Sequence, residues 1–367
     1  MKRFVTYALF MVLSAVSCRE KIDVPVVDEI AFSAPEVAET KSILITDKTE
    51  MVSGAGELAY SVFASRYIPN QDGGIDMSTH VLFMDNVKVY SKDNGSTWKY
   101  GESTLYWSPG AVHTFFAVYP YYDEESESDT YDMGLSFGID VERHALKMTG
   151  KHEIDSKKVI CTGTDEDGKN ICPDILYGVM SYPVPYAVGE DRDPVRFNMN
   201  HALAAVSFRL RNASDNIINS VTAGPVTGFM NASDYVLLSH EGPIWDKESF
   251  QTLAGHQFNV PSFESDITSG AYYEPAGKKY WYTALMIPQE FGAYQDSPSF
   301  AFNVVFSDGN KDFSIDFKDY PVNSVAEYAF TYLPGYHYVY NLNVTASNIT
   351  CDVDIVPWIE DEPIELN

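Results

Sequence analysis

Positive charge is scarce in this chain. Its 25 Lys and Arg stand against 52 Asp and Glu in 367 residues, a formal net charge of −27. A surface of that sign repels phosphate, so nucleic acid is excluded as a partner. Cysteine is rarer still, with four residues, Cys18, Cys161, Cys172 and Cys351. No C-x-x-C pair and no H-E-x-x-H motif occurs, and the eight His are scattered, so no metal site is expected. The G-x-S-x-G elbow, the Walker loop and the G-x-G-x-x-G turn are missing as well. The chain is therefore expected to be no enzyme and to carry no cofactor. Long apolar runs are also lacking: the longest, Phe4 to Val16, falls short of the ~20 residues that span a bilayer.

That short run has a meaning of its own. Lys2 and Arg3 precede it, and Ala15 and Ser17 close it. A basic start, a brief apolar stretch and small residues at the exit describe a secretory signal over residues 1–17. Cys18 follows at once. The arrangement resembles a bacterial lipobox, whose Cys is acylated and becomes the first mature residue, although Ala15 stands where Leu is usual. Cys18 is thus the expected lipid attachment site, and an ordinary signal with an incidental Cys is the alternative. Lipid chains would turn an exported protein into one anchored at a membrane. Residues 18–28 read as the tether. In an oxidising compartment Cys161 and Cys172 could close the polar loop between them as a disulfide. Two reduced thiols on neighbouring strands are the other reading.

Alternation of apolar and polar residues dominates the mature chain. Val206, Phe208 and Leu210 alternate with Ser207, Arg209 and Arg211, and Phe300, Phe302, Val304 and Phe306 share a parity. The longest run is Tyr336, Tyr338, Tyr340, Leu342, Val344 and Ala346. A period of two indicates half-buried strands. Asp93-Asn-Gly95 and Ser307-Asp-Gly309-Asn310 lie between such runs and read as hairpin turns. A short helix or turn is allowed around Asn323–Glu327. Many short strands with Gly and Pro turns imply an all-β protein built of sandwiches. Pro183, Pro185, Gly189 and Pro194 mark the best boundary. It divides the chain into an N-terminal β-sandwich domain, 29–188, and a C-terminal one, 189–367.

Several segments add a resemblance. They are Glu29-Ile-Ala-Phe-Ser33, Leu105-Tyr-Trp-Ser-Pro109, Phe115-Phe-Ala-Val-Tyr-Pro120, Asp174-Ile-Leu-Tyr177, the run from Val195 to Phe208, Gly335-Tyr-His-Tyr-Val-Tyr-Asn-Leu and Val356-Pro-Trp358. In this order the chain resembles the fimbrillin-like proteins of Bacteroidales, lipoprotein precursors of type V pili. The resemblance implies two tandem transthyretin-like β-sandwich domains. It also implies a structural or adhesive subunit at the outer membrane, cell surface and fimbrium. Its partners would be other pilus subunits, the outer membrane through the lipid, and host or bacterial surface ligands.

In such a pilin, proteolysis removes an N-terminal strand and a strand from another subunit fills the groove. The donor candidate is 351–367, with Val353, Ile355, Trp358 and Ile359 as anchors. The alternative is that this segment is the last strand of its own domain. The family's best-known members are cut after Arg, but no Arg lies between Arg19 and Arg66 here, so either another protease cuts, with Lys41 as the candidate processing site, or the chain stays uncut. Stalk, tip and anchor positions all stay open. A monomeric surface lipoprotein that binds glycans through Tyr121, Tyr122, Tyr272, Tyr273, Trp281 and Tyr282 is the competing function. The lipobox reading has a direct test. Cys18→Ala should abolish fatty-acid incorporation in cells, measured with a clickable palmitate analogue; unchanged labelling would refute it.

Overall fold

The computed structural model describes residues 27–37, 57–72, 76–101, 103–122, 135–150, 152–154, 156–166, 168–290, 298–319 and 331–357. Regular structure among them is β apart from a few 3-10 turns, so the expected all-β class holds. The turn allowed around Asn323–Glu327 lies outside the described residues.

A seven-stranded sheet organises the first half. From edge to edge it runs Glu36–Val37, Asn198–His201, Leu176–Tyr182, Val112–Tyr119, Leu58–Tyr67, Val81–Ser91, Lys99–Tyr100. Val112–Tyr119 is buried along its whole length. Phe116 and Val118 face one core, while Phe115, Ala117 and Tyr119 face another. Leu58–Tyr67 behaves alike, with Phe63 on one side and Tyr60, Val62 and Ala64 on the other. Strands covered on both faces lose their polar parity and read as apolar runs. This explains why V-H-T-F-F-A-V-Y hardly alternates. The Asp93-Asn-Gly95 turn joins Val81–Ser91 to its antiparallel partner Lys99–Tyr100, as its sequence indicates.

One face is covered by a four-stranded sheet, Gly242–Trp245, Tyr235–Ser239, Ala145–Thr149, Ser136–Asp140. Leu146, Met148, Val236, Leu238 and Trp245 supply its side of the core. Strand pairing crosses the sequence boundary at 188/189. Tyr235–Ser239 comes from the second half, yet it pairs with Ala145–Thr149 from the first. Ala232–Ser233 likewise pairs with Lys157–Cys161, and Asn198–His201 belongs to the seven-stranded sheet. The physical reason is cover: an apolar sheet face needs a second layer, and here the later chain returns to provide it.

Two further sheets pack face to face beyond this. Tyr282–Met286, Ala204–Asn212, Tyr336–Val344 and Ile349–Pro357 form one; Phe258–Asn259, Ile218–Thr227, Ser299–Phe306 and Gly309–Asp316 form the other. Their shared core holds Val206, Phe208, Leu210, Tyr338, Tyr340, Phe300, Phe302 and Phe306, the parities the sequence marked. Phe208 meets Phe300 at 5.2 Å and Tyr340 at 5.6 Å between ring centroids. Ala204 faces this core and Ala205 the other one, so two small residues stand where the layers meet.

Gly150 follows Ala145–Thr149 and lies against the Val159 backbone. A Cβ there would sit 1.8 Å from the Val159 carbonyl oxygen, whereas at Gly138 it would meet nothing within 4 Å. Gly150→Ala should cost about 3 kcal/mol through forced overpacking. Gly138→Ala should be neutral or slightly stabilising. Urea unfolding midpoints at constant m-value check both.

Candidate functional site

The other face of the seven-stranded sheet is closed by an N-terminal segment threaded between two parts of the chain. Its first residues pair with 105–107: Ile30 N donates to Leu105 O at 2.9 Å, and Trp107 N donates to Asp28 O at 3.0 Å. It then changes sides and runs parallel to 195–199. Val195 N donates to Ala31 O at 2.8 Å, Ser33 N to Val195 O at 3.1 Å, and Glu36 N to Phe197 O at 2.8 Å. Glu36 and Val37 sit opposite Asn198 and Met199, and the Glu36 carboxylate pairs with Arg196.

Side chains fix this register. Ile30 is fully buried and Phe32 nearly so, at 6% exposure. Phe32 lies 5.3 Å from Tyr100, 6.2 Å from Phe115 and 6.3 Å from Phe197 between ring centroids. Burial of these two side chains contributes roughly 3–6 kcal/mol. Ordering the segment's backbone costs about 1–2 kcal/mol per residue. Its attachment therefore depends on these anchors and on good hydrogen bonds. Without the segment, Phe115, Phe197 and Tyr100 would face water beside unpaired backbone groups at 195–199.

The anchors are Ile30 and Phe32 of the quoted Glu29-Ile-Ala-Phe-Ser33 motif. What the sequence did not signal was how the segment is held at its start. Asp28 is gripped by Tyr186, a residue 158 positions on: Asp28 N donates to the Tyr186 hydroxyl at 3.2 Å, and that hydroxyl donates to the Asp28 carboxylate at 2.8 Å. Tyr186 lies in the stretch that marks the sequence boundary, with only the Pro and Gly density visible in the sequence.

The other expected site residues are spread widely. Cys18, Lys41, Trp358 and Ile359 lie outside the described residues. Cys161 and Cys172 are buried free thiols, so the disulfide is not formed in this structure. Burial pushes the Cys161 thiol up to about 12. The loop between the two is closed by backbone instead: Asp165 N donates to Lys169 O at 2.9 Å, and Ile171 N donates to Gly163 O at 3.0 Å. Val353 and Ile355 lie in Ile349–Pro357, which pairs antiparallel with Tyr336–Val344 from Val344↔Ile349 to Tyr336↔Pro357. They are residues of an edge strand of their own sheet, with Val353 packed on the core and Ile355 at 37% exposure.

The aromatics considered for glycans form no common platform. Trp281 and Tyr282 are in the core at 2% and 5% exposure, and the indole of Trp281 donates to Pro261 O at 2.9 Å. Tyr273 stacks on Phe263 at 3.6 Å. Tyr272 is the more open one, and the Arg209 guanidinium covers its ring at 4.2 Å. Lys88 sits over Tyr121 at 5.0 Å, and Tyr122 packs beside Phe137. Among the described residues no group of three His, Cys, Asp or Glu is placed to hold a metal ion.

An all-β protein whose first described segment bonds in succession to 105–107 and to 195–199, over an aromatic core, is the class that the geometry defines. The profile of the fimbrillin-like family matches residues 71–358, and the chain belongs to that family. Similar solved structures include a fimbrial protein from Bacteroides vulgatus. It is 13% identical, with 90% of this chain and 99% of that one covered at a TM-score of 0.48. A fimbrial assembly protein from Parabacteroides distasonis is 11% identical, with 93% and 100% covered at a TM-score of 0.37. The tip fimbrial protein Mfa3 from Porphyromonas gingivalis, C-terminally truncated, is 10% identical, with 90% and 100% covered at a TM-score of 0.38. No curated protein matches the chain.

His113 beneath this site gives the fold an acid limit. It is 1% exposed, its Nε2 accepts from Ser108 N at 3.2 Å, and its ring meets Trp107 edge-on at 5.0 Å. The neutral ring therefore carries its proton on Nδ1. Burial, with Arg192 and Arg66 adding to it, lowers its pKa to about 4. Between the unfolded value near 6.5 and this folded value, the unfolded chain binds more protons, so stability falls as pH falls. The loss should reach up to about 3 kcal/mol by pH 4. In His113→Gln this limb of the urea-unfolding pH profile should flatten; an identical profile would contradict the assignment.

Proposed function

We propose that the protein is a structural or adhesive subunit of a type V pilus, or a fimbrium-associated cell-surface lipoprotein, that assembles by β-strand exchange triggered by proteolysis. Cys18 would hold the precursor at the outer membrane, and a cut at Lys41 would free residues 28–37. The observation that carries the reading is the threaded segment itself. It has few anchors, two short ladders and an apolar site beneath it, so its loss leaves a groove that a neighbour's strand can fill by adding backbone bonds and alternate side chains.

The donor is then the end of the chain. Residues up to Pro357 already pair with Tyr336–Val344, so the donated part begins at Trp358, with Trp358 and Ile359 as its first anchors. Val353 and Ile355 stay in their own sheet. The burial of Trp281 and Tyr282 and the cover on Tyr272 disfavour the monomeric glycan binder. The reading carries no catalytic step, and its partners are other pilus subunits and surface ligands.

Limited digestion with a Lys-specific protease tests it. The cut chain should release the 28–37 segment, form ladders that survive mild SDS, and capture a synthetic 356–367 peptide one to one. The uncut chain should do none of these. Deleting 358–367 should leave the far-UV circular dichroism unchanged and remove the ladders. A cut chain that stays monomeric and binds no peptide would refute strand exchange.

A further inference from the structure

We infer that the stretch from Pro183 to Pro194 is a clasp, pinned by Arg192, that holds the N-terminal segment through Tyr186 and Trp107 and so sets how fast that segment can leave. The inference rests on the strand-exchange reading for its purpose, but its physical content can be tested without assembly.

Arg192 is the centre. It lies between two exposed acids, Asp191 and Asp193, yet its own side chain is only 7% exposed. Its guanidinium lies 4.9 Å from the Trp107 ring, 5.1 Å from Tyr182 and 5.4 Å from Tyr186. One Nη2 donates to Val184 O at 3.2 Å and to the Glu190 carboxylate at 3.3 Å. Glu190 also accepts from Ala187 N at 3.2 Å, so the stretch is wrapped around the cation. Its Nε has no hydrogen-bond partner among the described residues. Taking a guanidinium this far from water carries a desolvation cost, which a plain connection from Tyr182 to Val195 would not require.

Two of these rings, Tyr186 and Trp107, lead to one residue, Asp28. Tyr186 is fixed at its backbone, where Tyr186 N donates to Ala111 O at 3.0 Å and Gly110 N donates to Tyr186 O at 2.9 Å. Its hydroxyl takes the Asp28 amide and bonds the Asp28 carboxylate. Trp107 donates its backbone N–H to Asp28 O at 3.0 Å. Asp28 is therefore held at its amide, its carboxylate and its carbonyl, each time by a residue whose ring stacks on Arg192. These contacts add to the ladders at 195–199 and stand at the segment's first turn into the sheet. Among the described residues they are the first hydrogen bonds met in peeling from the N-terminal side. Arg192 and Tyr186 are positioning residues for the segment.

Hydrogen exchange read by mass spectrometry on the full chain tests this, with Arg192→Ala, Arg192→Lys and Tyr186→Phe beside the unmodified protein. In Arg192→Ala the amides of 28–37 should exchange at least tenfold faster. In Tyr186→Phe, which keeps the ring and removes both hydroxyl bonds, they should exchange several-fold faster. Arg192→Lys should fall between Arg192→Ala and the unmodified chain, because an ammonium keeps the charge but not the planar stack. Exchange in Ser299–Phe306 and Tyr336–Val344 should not change. Unaltered exchange of 28–37 in Tyr186→Phe would overturn the clasp, and so would acceleration spread evenly over every strand. If Arg192→Ala fails to fold, Tyr186→Phe decides alone. A chain whose segment loosens as expected, but which when cut captures no 356–367 peptide, keeps the clasp and loses the pilus reading. A chain that captures the peptide with 28–37 exchange unchanged loses the clasp only.

Discussion

Everything in the first half depends on Val112–Tyr119 being apolar on both sides. A strand that carries Phe116 and Val118 on one face and Phe115, Ala117 and Tyr119 on the other needs cover twice. One cover is a proper sheet with its own ladder. The other is assembled from pieces: the Ile30–Phe32 anchors, Trp107, Tyr186, Val195 and Phe197. Of these pieces, the N-terminal segment is joined by short ladders. The proposed exchange would act on this same requirement for cover.

Legibility in the sequence tracked this distinction. Where a sheet has one core face, the period of two gave the strands and their inward residues, as in Ser299–Phe306 and Tyr336–Val344. Hairpins with Asn-Gly or Asp-Gly were equally plain, because those turns need residues that tolerate unusual backbone angles; Gly309 has φ 149°. Where both faces are buried, alternation vanishes and the inward side cannot be assigned. Long-range returns were invisible for a different reason. Nothing local in Tyr235–Ser239 says that it pairs with Ala145–Thr149, about ninety residues earlier. The docking of 183–194 was invisible in the sequence because Pro and Gly report backbone conformation, not whether a stretch is packed against its neighbours.

The site was half readable. Glu29-Ile-Ala-Phe-Ser33 carried the resemblance, and its apolar pair proved to be the anchors. The grip on Asp28 depends on a tyrosine hydroxyl and a guanidinium that only the tertiary structure brings near. For Cys161 and Cys172 the sequence left a disulfide and two reduced thiols both open, and in this structure both thiols are free. In a fimbrillin-like protein, recognition of this kind is carried by backbone edges and ring stacks, which leave weaker marks in a sequence than a ligand set.

The return of Tyr235–Ser239 into the covering sheet has a mechanical consequence. Tension applied along the molecule does not meet a single connecting thread between two independent blocks. It meets interleaved ladders, because Tyr235–Ser239 is bonded to Ala145–Thr149 and Ala232–Ser233 to Lys157–Cys161. Pulling the later chain away from the earlier one has to break those backbone bonds, not merely extend a connection.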